Sequence, residues 1–317
     1  MGRTFTIAAT ATAATLFSAA LVGAPTPAIG QTSASVIGPA NTAAQNISVP
    51  DFSGVWRHPS LPGFEPPASG PGPVTNRSRT RNGTSNWSQL VGDYTNPILK
   101  PWAAEIVKKH GEISLAGIAY PTPAYKCWPE PVPYIFWRFI MQVVQTPDNV
   151  TFIYTDPGDQ FRQVRLDQPH PAHVTPSWYG DSVGHYEGDT LVVDTIGIKV
   201  DRPYAMVDAY GTPYTEALHV VERYRLLGYD EAKDALERDT KENAHVQVDS
   251  VNRNYRGKHL QLEFTVEDEG AFTTPWSATI TYLPSLVAWD EEVCTENIHE
   301  YYNHRDSDVP RADHADF

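Results

Sequence analysis

YEGDTLVVDTI, residues 186–196, decides the fold. Gly188-Asp189 can take the positive φ angles of a tight two-residue turn, and aliphatic and β-branched residues follow it. The stretch predicts a β-hairpin. Working outward, further strands are predicted at 135–145, 151–155, 160–166, 182–186, 190–196, 217–227, 244–252, 259–266 and 274–282, joined by turn-like TPDN, DPGD and YRGK. HLQLEFTVE (259–267) alternates cleanly, with Leu260, Leu262, Phe264 and Val266 on one face. One early helix is predicted over 96–112, with Pro101 in its first turn and a buried stripe of Trp102, Ile106 and Val107. Such a series predicts a mainly β chain: an antiparallel, up-and-down, lipocalin-like β-barrel with one early helix. A two-sheet β-sandwich is the alternative.

The rest of the chain frames this domain. Residues 1–30 have a basic Arg3, an apolar run and then small residues, the layout of a secretory signal peptide. The run is too short and too interrupted to span a membrane. Residues 31–50 read as a linker, 51–305 as a single domain with an irregular excursion at 59–95, and 306–317 as a flexible tail. The expected location is therefore secreted or periplasmic. A net charge of −14 argues against nucleic acid as a partner, because binding a phosphate backbone needs a basic surface. A small-molecule ligand or substrate is the expected partner. Export into an oxidising compartment favours a disulfide between Cys127 and Cys294, and two free buried thiols are the alternative. No CxxC, HExxH, P-loop or G-x-G-x-x-G motif suggests a metal or cofactor, so none is expected.

PSWYGDSVGHYEGDTLVVDTIGI (176–198) followed by GTPYTEALHVVERYRL (211–226) resembles a family of secreted bacterial proteins. Their pattern is Ser-x-Gly-x-Trp-Glu-Gly-Asp-Thr-Leu-Val-Val-Asp-Thr-x-Gly, then Ala-Leu-His-x-x-Glu-Arg-Phe. AFTTPW (271–276), EEVCTEN (291–297) and KCWPEPVP (126–133) resemble further elements of it. Tyr186 stands where the family has Trp, and His185 where it often has Arg. The resemblance covers most of 120–300; it implies export and is consistent with the cysteine bridge.

Candidate chemistry lies on the strands. Alternation puts His219, Val221, Arg223 and Arg225 on one face of 217–227, and Val220, Glu222 and Tyr224 on the other. His219 and Glu222 therefore cannot form a catalytic pair, whereas His219 and Arg223 share a face. Asp194 sits in a strand apolar on both sides, so its carboxylate needs a partner. A His219–Asp194 acid–base pair is one solution, and a hydrogen-bonded structural Asp is the other. Arg162 in an inward position is a natural carboxylate anchor, with a surface salt bridge as the alternative. Tyr154 and Tyr179 are phenol donors, while Trp178, Tyr134, Tyr214 and Arg223 are substrate-binding candidates. His170 and His173 have a loop spacing, not a metal-ligand spacing on one element.

These residues lead to the expectation of a cofactor-independent lyase or isomerase. Its substrate would be a small, aromatic, carboxylate-bearing compound, and decarboxylation is the specific form. Phenolic acid decarboxylases run such chemistry in small lipocalin-like barrels, an analogy of fold alone. In this scheme His219 moves the proton, Asp194 orients it, Arg162 holds the anion and Tyr154 or Tyr179 donates to the developing charge. The alternative is a non-catalytic periplasmic binding protein of lipocalin type.

Overall fold

The computed structural model describes residues 49–58, 64–86, 88–118, 122–124, 127–155, 159–202, 204–242, 252 and 254–286. The expected signal peptide, most of the linker, the strand at 244–252 apart from Asn252, Cys294 and the tail lie outside the described residues.

Nine strands close into one barrel in sequence order: β1 (Gly54–Arg57), β2 (Ile140–Gln145), β3 (Asn149–Tyr154), β4 (Gln160–Leu166), β5 (Asp181–Glu187), β6 (Thr190–Ile196), β7 (His219–Leu227), β8 (His259–Glu267) and β9 (Trp276–Pro284). β1 pairs with both β2 and β9, so the sheet has no free edge there and is not a sandwich.

The expectation of a purely antiparallel meander is corrected at one joint. β4 and β5 run parallel, through Arg165 opposite Val183 and Leu166 opposite Gly184. Parity explains this. Strand direction alternates at every antiparallel pair, so an odd ring cannot close without a parallel pair. A parallel pair in turn needs a long crossover, which residues 167–180 supply. At its end Gly180 has φ +75, and a Cβ there would lie 2.6 Å from the Ile196 carbonyl oxygen. The β5–β6 hairpin turns at Gly188-Asp189 as predicted, with Gly188 at φ +63.

Among the described residues, two α-helices flank the strands. α1 (Pro101–Leu115) buries Ala103, Val107, His110, Gly111 and Ser114. Trp102, expected on the buried stripe, is exposed, and its indole donates to the Gly270 carbonyl. Gly111 does not end α1, because its bare Cα faces Val91, where a Cβ would come within 3.0 Å. α2 (Tyr229–Glu242) is not among the predicted elements. Its apolar stripe is thin, with Ala232 and Ala235 buried and Leu236 half-buried; its other signals are Asp230 and Glu231 in the first turn and the Glu231 carboxylate accepting from the Gly228 amide. Tyr134–Trp137, expected to begin a strand, forms a 3-10 turn before β2.

Alternate residues of each strand point inward. Phe152, Val164, Val193, Val220, Leu262, Phe264 and Ile280 are all buried. Each such side chain contributes about 1.5–3 kcal/mol by leaving water. The excursion after β1 is ordered where described: the buried Asn76 accepts from the Ser78 and Val91 amides and donates to the Asn86 carbonyl.

Candidate active site

The pleat divides the predicted catalytic residues between two sides of the barrel wall. On the outside, a line of alternating charges crosses five strands. Arg165 forks onto Asp181 at 2.7 and 3.1 Å. His170 lies 2.6 Å from Asp181 through Nδ1 and 2.9 Å from Asp194 through Nε2. The second Asp194 oxygen lies 3.0 Å from His219 Nε2. His219 Nδ1 lies 3.5 Å from Glu267, its direct cross-strand neighbour on β8. Register builds most of this line, and the crossover adds His170. The described residues hold no group of three or more His, Cys, Asp or Glu side chains arranged to ligate one metal ion.

The electrostatics follow the geometry. The hydrogen bond to Asp194 raises the His219 pKa above 6.5, against a smaller opposing effect of burial. Burial pushes the Asp194 carboxyl up, but the hydrogen bonds and charges of His219 and His170 together outweigh it, and the net shift is downward. Arg165 is the main cause of the lowered Asp181 pKa.

His219 lines a surface cleft of about 420 Å³ with Ala217, Glu267, Phe272, Thr273 and Pro275. The buried Asp268 builds the cleft floor: its carboxylate accepts from the Thr215 amide and hydroxyl and from the Gly270 and Ala271 amides.

Inside the wall, Arg162 does not wait for a ligand. It is 1% exposed and its guanidinium forks onto Glu222 at 2.5 and 2.7 Å. Its other donors reach Ser182 and Thr195. The anion it anchors is the protein's own, which corrects its expected role as substrate anchor. Tyr224 completes the cluster by donating to Glu222 at 2.8 Å. Tyr154 is fully buried on the same side, beside Arg162 and Tyr224, and burial pushes its pKa upward. Neither Arg162 nor Tyr154 can reach His219 across the sheet.

The substrate-binding candidates also separate. Arg223 shares the outer face with His219 but pairs with Glu187 at 2.8 Å. It stands four residues along β7, roughly 13 Å away. Tyr134 is buried against Trp137 and beneath Arg138. Trp178 and Tyr179, at the end of the crossover, gather with Tyr214 around Arg202. The Arg202 guanidinium lies 4.3 Å from the Trp178 ring centre. Tyr179 donates to Gln160 at 3.3 Å and Tyr214 to the Lys199 carbonyl at 2.8 Å. Burial raises the Tyr214 pKa to about 12, partly offset by Arg202.

His170, Glu267, Glu222 and Arg202 are not among the predicted site residues. The inward facing of Glu222 is readable from alternation; the other three depend on which loop or strand lies alongside. Comparison with protein-family models, curated proteins and solved structures finds no match.

Proposed function

We propose that this chain is an exported, cofactor-independent acid–base enzyme of the lyase or isomerase class. The reading is carried by His219, which lines the cleft while its Nε2 lies 3.0 Å from Asp194. With the Nε2 proton held by Asp194, Nδ1 is the nitrogen that exchanges a proton with a substrate. Glu267, 3.5 Å from Nδ1, stabilises the imidazolium once it forms. His170 holds the other Asp194 oxygen and so fixes the carboxylate plane.

The cleft revises the substrate. Arg162 is committed to Glu222, and Glu267 and Glu269 both line the cleft. A neutral or cationic substrate fits this rim better than the expected aromatic carboxylate, so decarboxylation loses its anchor. The Cys127–Cys294 bridge remains part of the proposal; Cys127 is not a free thiol.

The test is a panel of small carbonyl compounds and aryl acids incubated in heavy water, read by deuterium incorporation and carbon dioxide release. His219→Ala is expected to lower turnover by about 10²–10⁴-fold with ligand binding retained. Equal turnover by the variant sinks the reading. A second reading, a non-catalytic small-molecule binding protein, is favoured by Trp128, Trp178 and Tyr204, half-buried aromatic rings grouped beside Arg202.

A further inference from the structure

Arg202 is out of balance with its surroundings. It is only 8% exposed, yet its Nε and Nη1 have no hydrogen-bond partner. Nη2 donates to the Pro129 carbonyl at 2.6 Å. The neighbouring carboxylate, Glu130, is held by Arg138 in a buried fork. The phenols of Tyr179 and Tyr214 lie close enough to feel the charge; both hydroxyls donate elsewhere, and the Tyr214 oxygen offers the guanidinium an acceptor. A buried guanidinium with two orphan donors is a costly arrangement. A cation–π contact with Trp178 offsets only a small part of that cost.

What surrounds it is aromatic and positive in a chain of net charge −14. Lys199 also lies over Trp178, at 5.7 Å. Trp128 stands 6.5 Å from Trp178 and stacks on Tyr204 at 5.7 Å. Trp128, Trp178 and Tyr204 are only partly buried, so this aromatic layer is the solvent side of the guanidinium.

We infer that Arg202 is the anchor of a binding site for a small aryl carboxylate. The carboxylate forks onto Nη2 and one of the unpartnered donors beside it, Nε or Nη1, with Lys199 alongside, and the ring joins the indole stack of Trp128 and Trp178. Arg202 thus takes the part expected of Arg162. The inference rests on the small-molecule-binding reading and does not involve His219.

Intrinsic tryptophan fluorescence of the full chain tests it, with benzoate, benzamide and inorganic phosphate as probes up to about 10 mM. Saturable quenching by benzoate is expected, at least about tenfold tighter than by benzamide or phosphate. Arg202→Lys should weaken benzoate binding by about tenfold or more, because an ammonium cannot fork onto a carboxylate. Lys199→Gln, at a half-buried position, should weaken it a few-fold and serves if the Arg202 variant does not fold. Benzamide binding as well as benzoate, phosphate competing equally, or unchanged binding by both folded variants overturns the Arg202 site while leaving small-molecule binding intact. No saturable quenching by any probe overturns the site, and failure across a broader ligand library overturns the binding reading as well.

Discussion

His219 and Glu222 stand three residues apart on β7 and on opposite sides of the barrel wall. His219 reaches Asp194 outside at 3.0 Å, and Glu222 holds Arg162 inside at 2.5 Å. One strand thus carries both an exposed acid–base pair and a sealed ion pair, and the two respond to mutation differently.

The outer pair is expected to govern the pH profile. Asp194 raises the His219 pKa, so Asp194→Asn lowers it, and the acidic limb of the rate profile moves to lower pH. Turnover falls by about 10²–10⁴-fold, as for a carboxylate that orients a catalytic histidine. A fall in rate with an unmoved limb would mean that Asp194 serves folding alone.

The same shifts set a stability window. His219 is raised in the folded state, so its contribution is complete below the ordinary imidazole value of 6.5 and is lost as pH rises through the folded value. Asp194 and Asp181 are lowered, so theirs is present above 3.8 and is lost as pH falls through their folded values. The line of charges is therefore most stabilising between 3.8 and 6.5. Thermal denaturation of the wild type against His219→Gln should show its largest gap in that range, shrinking toward alkaline pH. A gap that widens above neutrality contradicts the assignment.

The inner pair is expected to matter for stability. Arg162→Met or Glu222→Gln each leaves a buried group without its partner and costs about 3–5 kcal/mol. The double replacement Arg162→Met/Glu222→Gln should cost clearly less than the two single changes added together. Urea denaturation measures all three, and additive losses would show that the pair is not coupled.

Gly180→Ala tests the crossover. Its φ of +75, and an Ile196 carbonyl oxygen 2.6 Å from where a methyl group would sit, leave no room for a side chain. A loss of about 1–3 kcal/mol is expected in the same urea experiment. A variant as stable as the wild type would mean that the joint between β4 and β5 adjusts freely.

Much of the barrel is legible because each strand carries a local signal. HLQLEFTVE shows its inward face by alternation alone, and EGDT shows its turn by the glycine. The His219–Asp194 pairing is legible for a related reason: a carboxylate among apolar neighbours needs a partner, and these two lie on adjacent strands. α2 escapes such a reading because Ala232 and Ala235 are its buried side chains where side chains are described, too weak a stripe to show as periodicity.

By itself, then, the amino-acid order determined strand positions, the hairpin turn and which side chains share a face, since these follow from chirality and a two-residue repeat. Where the one parallel joint fell and which arginine was left without a carboxylate were decided only on closure. Those outcomes depend on what distant segments bring alongside: Glu222 comes from sixty residues beyond Arg162 and satisfies it, while Glu130 is taken by Arg138 and leaves Arg202 unmatched.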